Sequence, residues 1–244
     1  MNITIWNENV DETNGKKEVL DVHPEGIHNT LKGIVKDIPG ANIRTATLQE
    51  KDCGLPEDVL NDTDVLLWWA HRAHTEVPDE LAERIHQRVL GGMGLILLHS
   101  AHYSKIAKKV WGTTGDLSWK DDVYERLFCV SPSHPIAKGV PTVIELGIDE
   151  CYSEPFDIPA PDELIFLAWY ESGNVFRSGG TWTRGYGRVF YFQPGHETNR
   201  SYLHPDIRQI IRNACEWAAP TARKEHFGAP HIMETLEEKR AKGK

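Results

Sequence analysis

The sequence predicts a doubly wound α/β domain with a flavodoxin-like, mostly parallel sheet, and three observations lead to this prediction. Short apolar runs alternate with segments whose apolar residues recur at helical spacing. The 244 residues are 40% hydrophobic, which is enough to build one large core. Three of the apolar runs end in histidines, and the carboxyl ends of strands in such a sheet converge on one crevice.

The first hundred residues show this alternation most clearly. Apolar or β-prone runs predict strands at residues 2–6, 42–48, 64–70 and 95–98. Helices are predicted between them at residues 23–38, 54–60 and 78–90. The strand–helix order favours parallel strands that are joined by crossover helices.

The second half of the chain departs from this pattern. Residues 113–161 lose the alternation and are predicted to form an inserted irregular or β segment beside the pocket. Residues 164–170 and 188–192 are predicted strands, with the glycine-rich stretch at 172–187 as the hairpin connection between them. A helix at 207–217 closes a single domain of residues 1–220. The charged tail at 221–244 is predicted to be solvated or packed on a neighbouring subunit.

Composition limits the classes of function. The chain has 27 basic and 36 acidic residues, a net charge of −9, which disfavours a nucleic-acid partner and favours a small-molecule one. Its four cysteines lie far apart without a CxxC pair, so neither a disulfide framework nor a thiolate metal site is expected. The first residues lack a basic leader, and no apolar run approaches a membrane span. A cytoplasmic protein without a membrane partner is predicted.

The residues at the predicted strand ends are candidates for metal binding or proton transfer. Imidazole is a common metal ligand near neutral pH, and a catalytic zinc site uses three protein ligands plus water. A zinc or other divalent metal site is therefore one expectation, against histidines that are only hydrogen-bonded or exposed. The candidate ligands are His28, His74, His102 and His196.

Ser100 lies where a buried strand is expected to turn sharply into a helix. Such a turn presents a side chain above helix amides that favour developing negative charge, so Ser100 is a candidate nucleophile. The alternative is a helix cap or a ligand-binding hydroxyl. The candidate catalytic residues are Ser100, His102, His196 and Glu197.

Other residues are candidates for substrate binding. Trp69 ends a predicted strand and offers either an apolar wall for a sugar ring or core packing. The acids and the phenol near residue 150 either face the cleft or are solvated loop residues. The full candidate set is His28, Trp69, His71, His74, His99, Glu150 and Tyr152.

Several separated motifs together resemble one family. They are HPEGIH at 23–28, WWAHRAH at 68–74 followed by EVP at 76–78, the glycine-led strand and turn at 92–100, HPI at 134–136, and PGHE at 194–197. These motifs, taken in order, resemble the trehalose-utilisation ThuA-like family. The resemblance extends over most of the chain, to about Pro220. The resemblance implies the class I glutamine amidotransferase-like fold and a role on trehalose, related disaccharides or their oxidised derivatives.

The chain departs from glutamine amidotransferases where their catalysis occurs. Those enzymes place a cysteine in a G-x-C-x-G turn. This chain has Ser100 at the corresponding position, and none of its four cysteines lies there. A serine hydroxyl is scarcely ionised at neutral pH without a strong base, so glutamine hydrolysis is not expected.

Three functional hypotheses follow from the sequence. The first is an enzyme of sugar or keto-sugar metabolism that uses acid/base or metal-assisted chemistry. The second is a non-catalytic sugar-binding or accessory protein that acts beside a sugar dehydrogenase. The third is a serine hydrolase, which requires contact between Ser100 and His196. A homo-oligomer is expected from Trp111 and Trp119, which the sequence places at the irregular segment, and from the charged tail.

Overall fold

The computed structural model describes residues 1–243 and contains one nine-stranded sheet with helices around it. The strands are β1 (Asn2–Asn7), β2 (Asn42–Thr47), β3 (Val65–Trp69), β4 (Gly94–Leu98), β5 (Ser118–Cys129), β6 (Val143–Ser153), β7 (Glu163–Tyr170), β8 (Val175–Arg184) and β9 (Gly187–Phe192).

Residues 1–243 contain eight α-helices and four short 3₁₀ segments, most of which connect or cover the strands. The helices are α1 (Val10–Thr13), α2 (Lys17–Leu20), α3 (Ile27–Val35), α4 (Glu57–Asp62), α5 (Asp79–Leu90), α6 (Lys105–Trp111), α7 (Pro205–Ala218) and α8 (Leu236–Lys242). The 3₁₀ segments are Lys51–Gly54, His99–Tyr103, Pro135–Ala137 and Ser201–Leu203. None of the helices within residues 1–243 is long and apolar enough to cross a membrane.

The strand order is β2-β1-β3-β4-β9-β8-β7-β5-β6, and its two halves differ in direction. From β2 to β9 every pairing is parallel, and from β9 to β6 every pairing is antiparallel. The sheet is therefore mixed, with as many antiparallel as parallel pairings, where the sequence predicted a mostly parallel one. The helical alternation that predicts crossovers is confined to the parallel half.

The helices form two groups, as right-handed crossovers require. The chain moves from β1 to β2 in one direction and from β3 to β4 in the other, which places α3 and α5 on opposite faces. Accordingly α3 packs against α7, whereas α5 packs against α4 and α6. Both faces of the parallel half are covered, and every residue of β3 and β4 is buried.

The segment predicted as an irregular insertion forms the far edge of the same sheet. β5 and β6 are long strands that pair with one another, and β5 also pairs with β7. The glycine-rich stretch predicted as a hairpin connection is itself a strand, β8, which joins the two halves of the sheet. Its Gly179 lies against Phe166 so closely that a Cβ would be 2.7 Å from that ring. The glycines therefore serve close packing within a strand.

Candidate active site

Three adjacent parallel strands end at the same level of the sheet. Trp69 of β3 is in register with Leu98 of β4, and Leu98 is in register with Phe192 of β9. The residues after these strands therefore emerge at one edge, as the sequence predicts. The histidines that follow the three strands include His71, His99 and His196.

A cavity of about 710 Å³ opens at this edge. Its volume lies within the range of small-molecule sites, about 300–1,000 Å³. The predicted site residues that line it are His71, His74, Ser100, His102, Glu150, Tyr152 and His196.

His99 forms the first of two histidine–carboxylate pairs. It directly follows β4 with a left-handed φ of 52°, so the strained residue of the turn is His99 and not the adjacent Ser100. Its Nδ1 donates to the carbonyl of Gln193 at 2.8 Å, and its Nε2 lies 3.0 Å from Oε2 of Glu150. This hydrogen bond fixes Nδ1 as protonated and directs Nε2 towards Glu150.

The pKa shifts of this pair favour its charged form. Burial lowers the pKa of His99, but the nearby carboxylates, chiefly that of Glu150, outweigh burial and raise that pKa overall. Burial raises the pKa of Glu150, but His99 reverses the effect and the pKa is lowered. Both shifts favour an imidazolium paired with a carboxylate, and both side chains are buried.

His71 and Glu197 form the second pair, with His196 beside them. Nδ1 of His71 lies 3.0 Å from Oε2 of Glu197, and Nε2 of His196 lies 3.5 Å from the same oxygen. Lys16 approaches the other oxygen, Oε1, at 3.4 Å. Burial raises the pKa of Glu197, but the nearby imidazoles of His71 and His196 hold that pKa below its usual range.

The second pair has the features of a metal site. His71 Nδ1 and Glu197 Oε2 are buried, and neither has a hydrogen-bond partner within residues 1–243 despite their 3.0 Å separation. The ring nitrogen of His71 and the carboxylate oxygen of Glu197 are therefore close but not aligned for a hydrogen bond. The donor atoms of His71, His196 and Glu197 all lie within 4.8 Å of each other. Tetrahedral zinc with bonds of about 2.0 Å requires donors separated by about 3.3 Å.

His74 and His102 are neutral histidines in the same cavity. Burial lowers the pKa of His74 to about 4 and that of His102 to about 3. Nδ1 of His102 donates to the carbonyl of Gly115 at 2.7 Å, which leaves Nε2 with a free lone pair. His102 is therefore neutral at neutral pH and can accept a hydrogen bond through Nε2.

Ser100 is paired with a phenol. Its Oγ and the hydroxyl of Tyr152 share a hydrogen bond of 2.7 Å, and that hydroxyl lies 3.3 Å from Nε2 of His99. The hydroxyl of Ser100 has no hydrogen bond to His196 within the described residues. Ser104, four residues later, caps α6 by accepting from the N–H of Ala107, so Ser100 does not have that capping role.

Four predicted residues, His28, Trp69, His99 and Glu197, lie outside the cavity lining, and the first two also take no part in the histidine–carboxylate pairs. His28 hydrogen-bonds Asn7 through its Nδ1 at 3.2 Å. Trp69 is buried and donates through its indole N–H to the carbonyl of Gly195, because both faces of β3 are covered. Trp69 therefore stabilises the loop that precedes His196 and offers no exposed surface to a sugar ring.

The ligand set predicted for a metal is not assembled as a set. The potential ligand groups in the described chain are His71 with His196 and Glu197, and His99 with Glu150 and His196. Only His196 of the predicted ligands belongs to them. The predicted ligands His28, His74 and His102 lie outside both, since the local spacing of histidines did not indicate which side chains would converge.

Several residues in or beside the cavity carry no clear signal in the sequence. Glu150, which lines the cavity, and Asp149, which lies behind it, are buried within β6, although a solvated loop was one interpretation of their sequence. Tyr103 and Trp119 are exposed aromatic residues at the cavity. The other lining residues that sequence analysis did not indicate are Lys16, Arg72, Asp116, Leu117 and Asp121. They come from loops and from the start of β5, whose sequence has no pattern typical of a site.

The fold and the site together define an α/β protein with a histidine–carboxylate pocket at the carboxyl edge of its parallel strands. The sequence model of the ThuA family, described as trehalose utilisation, matches residues 3–218, and the chain belongs to this family. No curated protein sequence matches the chain significantly.

Solved structures show the same fold at low sequence identity. A ThuA-like protein from Parabacteroides merdae ATCC 43184 is 17% identical, with a TM-score of 0.67, over 93% of this chain and 92% of that one. A ThuA-like protein from Bacteroides uniformis ATCC 8492 is 15% identical, with a TM-score of 0.62, over 89% and 90%. A cytoplasmic protein from Salmonella typhimurium is 14% identical, with a TM-score of 0.59, over 90% and 99%. At these identities the likeness concerns the fold alone.

Proposed function

We propose that this protein is an enzyme that transfers protons on a sugar or keto-sugar bound in the histidine–carboxylate pocket, with the help of a divalent metal. The observation that carries the proposal is the convergence of His71, His99 and His196 with Glu150 and Glu197. Paired histidines and carboxylates can donate and accept protons near pH 7.

The described residues fit a metal best at His71, His196 and Glu197. These three side chains would hold zinc or a similar ion, since the unpaired His71 Nδ1 and Glu197 Oε2 both lie close to His196. A metal bound there would polarise a carbonyl or lower the pKa of a bound water.

The protein groups have separable roles in the proposed reaction. His99, charged and paired with Glu150, holds a proton next to the phenol of Tyr152, which can pass a proton to a substrate oxygen. Neutral His102 can accept a hydrogen bond from a hydroxyl group of the substrate through Nε2. Ser100 orients the phenol, and we assign it no nucleophilic role, since its hydroxyl bonds Tyr152.

The cavity has features that suit a carbohydrate. Tyr103 and Trp119 supply aromatic surface, and Asp116, Asp121 and Arg72 supply hydrogen-bonding groups at the rim. Aromatic faces with nearby polar groups can hold the apolar face and the hydroxyls of a sugar ring. The family description, trehalose utilisation, supports a disaccharide or its oxidised derivative. The proposal includes a cytoplasmic location, since the Salmonella typhimurium protein of similar fold is described as cytoplasmic.

Glutamine hydrolysis is excluded from the proposal because the pocket has no thiol nucleophile. The four cysteines are all buried, and the described lining contains none of them. Burial raises the pKa of Cys53, Cys129, Cys151 and Cys215, which keeps these thiols protonated and unreactive.

The test is proton exchange and turnover on defined sugars. Trehalose and its keto derivative would be incubated with untagged protein in D₂O and followed by NMR, with metal content measured on the same preparation. We expect deuterium incorporation next to the carbonyl, or product formation, in the wild type and in His226→Gln, whose side chain is exposed in the tail. We expect neither in Glu150→Gln. Saturable binding without exchange or turnover would instead indicate an accessory sugar-binding protein.

We further propose that the C-terminal segment packs on a second copy of the chain. Phe227, Ile232, Met233 and Leu236 are exposed apolar residues, with Met233 83% exposed. Residues 221–244 carry six basic and four acidic residues, whereas the rest of the chain is strongly acidic. Apolar side chains and positive charge therefore suit the acidic surface of another copy.

A further inference from the structure

Glu8 is a buried carboxylate behind the His71 loop. Only 2% exposed, it accepts hydrogen bonds from the backbone N–H groups of three consecutive residues, His71, Arg72 and Ala73, at 2.8–3.0 Å. Both of its oxygens are used, and no cation pairs with it within residues 1–243. Consecutive N–H groups that point inwards form an anion-binding concavity, and here the anion belongs to the chain itself.

Asp149 has the corresponding position behind the loop of His196 and Glu197. It is fully buried and accepts from the N–H of Gly195 at 3.3 Å and from the side-chain amide of Asn199 at 3.0 Å. The hydroxyl of Ser201 also donates to it. These three contacts lie before and after His196 and Glu197, so one carboxylate joins both ends of the loop.

The two loops need such support because the sheet does not pair their strands. The His71 loop follows β3 and the His196 loop follows β9, and β4 lies between these strands. Gly195 has a φ of 131°, and a Cβ there would lie 2.2 Å from the hydroxyl of Tyr202, so this loop is also tightly confined. The separation of His71 from His196 and Glu197 thus depends on how each loop is held.

We propose that Glu8 and Asp149 are positioning residues, Glu8 for His71 and Asp149 for His196 and Glu197. Neither carboxylate lines the cavity or belongs to a potential ligand group in the described residues. Each acts through backbone and side-chain donors of the loop that carries the ligands. This inference rests on the proposed function, which gives these three side chains their role.

The experiment uses the isosteric variants Glu8→Gln and Asp149→Asn of the full chain. An amide replaces one accepting oxygen with an N–H₂ group, which cannot accept from the loop donors and would face them. The ring nitrogens are observed by ¹H–¹⁵N NMR, with the signals assigned from His71→Gln and His196→Gln. Zinc affinity is measured by calorimetry, and stability by thermal unfolding.

We expect a selective pattern. Glu8→Gln should shift the ring signals of His71 more than those of His196, and Asp149→Asn should do the reverse. Zinc affinity should fall about 10–100-fold in each, the usual effect of losing an outer-sphere partner. Glu154→Gln is the matched control, since Glu154 also accepts backbone N–H groups, from Phe156 and Arg177, but these residues do not lie on a loop that carries a potential metal ligand. It should lower stability without moving these signals.

If Glu8→Gln and Asp149→Asn move the ring signals no more than Glu154→Gln does, both carboxylates are merely structural. If either variant fails to fold, Glu8→Asp or Asp149→Glu takes its place and is read in the same way. If the wild type binds no zinc but the selective shifts are present, the positioning roles hold and the metal in the proposed function is wrong.

Discussion

The parallel and antiparallel halves of the sheet contribute to the site in different ways. β3, β4 and β9 deliver histidines from the loops beyond their ends, with the strands themselves buried. β6 delivers Glu150 and Tyr152 from within the strand, since its second half is buried against the rest of the protein. The register of the parallel strands therefore positions the histidines, whereas the alternating side-chain direction along β6 places Glu150 and Tyr152 on the same face.

The largest expected effects are on zinc binding and turnover, in substitutions of His196 after β9 and of Glu150 in β6. His196→Ala should abolish zinc binding. It should also lower turnover about 10²–10⁴-fold, which is the usual effect of removing one group that transfers a proton. Glu150→Gln should lower turnover similarly but retain zinc. Metal analysis and steady-state kinetics on the same preparations measure both. Loss of zinc in Glu150→Gln would instead place the metal at His99, Glu150 and His196.

Core substitutions should distinguish the halves by stability. Leu97 in β4 and Leu127 in β5 are both fully buried. Leu97→Ala should lower the free energy of unfolding by about 4 kcal/mol and Leu127→Ala by about 2–3 kcal/mol, within the usual range for buried leucine. The reason is that residues next to Leu97 are buried too, whereas Arg126 and Phe128 are partly exposed. Urea unfolding measures the difference, and equal losses would show that the two halves are equally well packed.

Acid should destabilise the parallel half through its neutral histidines. Burial lowers the pKa of His23 to about 4, so the unfolded state binds more protons than the folded state between pH 4 and 6.5. The free energy of unfolding therefore falls as the pH decreases through this range, and this histidine contributes up to about 3 kcal/mol. His23→Gln should flatten the pH dependence measured by urea unfolding. An unchanged slope would assign the acid sensitivity to other groups.

The smallest expected effect on stability is at the C-terminus. Deletion of residues 225–244 should change the free energy of unfolding by at most about 0.5 kcal/mol, since the described side chains there are mostly exposed. The deletion retains Arg223, which contacts Asp64, and Lys224, whose N–H donates to the carbonyl of Gly91. If the tail packs on a second copy, the deletion should convert a dimer to a monomer in sedimentation. An unchanged mass would contradict the tail's role in assembly.

The predictions from sequence succeeded for elements whose signals are local. β3 and β4 are buried apolar runs that lead into histidines, and the structure has these strands at Val65–Trp69 and Gly94–Leu98. β5 and β6 gave weaker signals because half of their residues face solvent and irregular pairings interrupt both strands. In β8, glycines that usually indicate a turn instead permit close packing against Phe166.

By itself the sequence determined the family, the presence of buried parallel strands, and the histidines at their ends, because apolar periodicity and strand termini are properties of neighbouring residues. The tertiary structure alone decided which histidine meets which carboxylate. His71 and Glu197 are 126 positions apart, and His99 and Glu150 are 51 apart, so only sheet order and register bring them within 3.0 Å. Glu8 likewise gains its role only when β1 and β3 pair and bring it against the loop of His71.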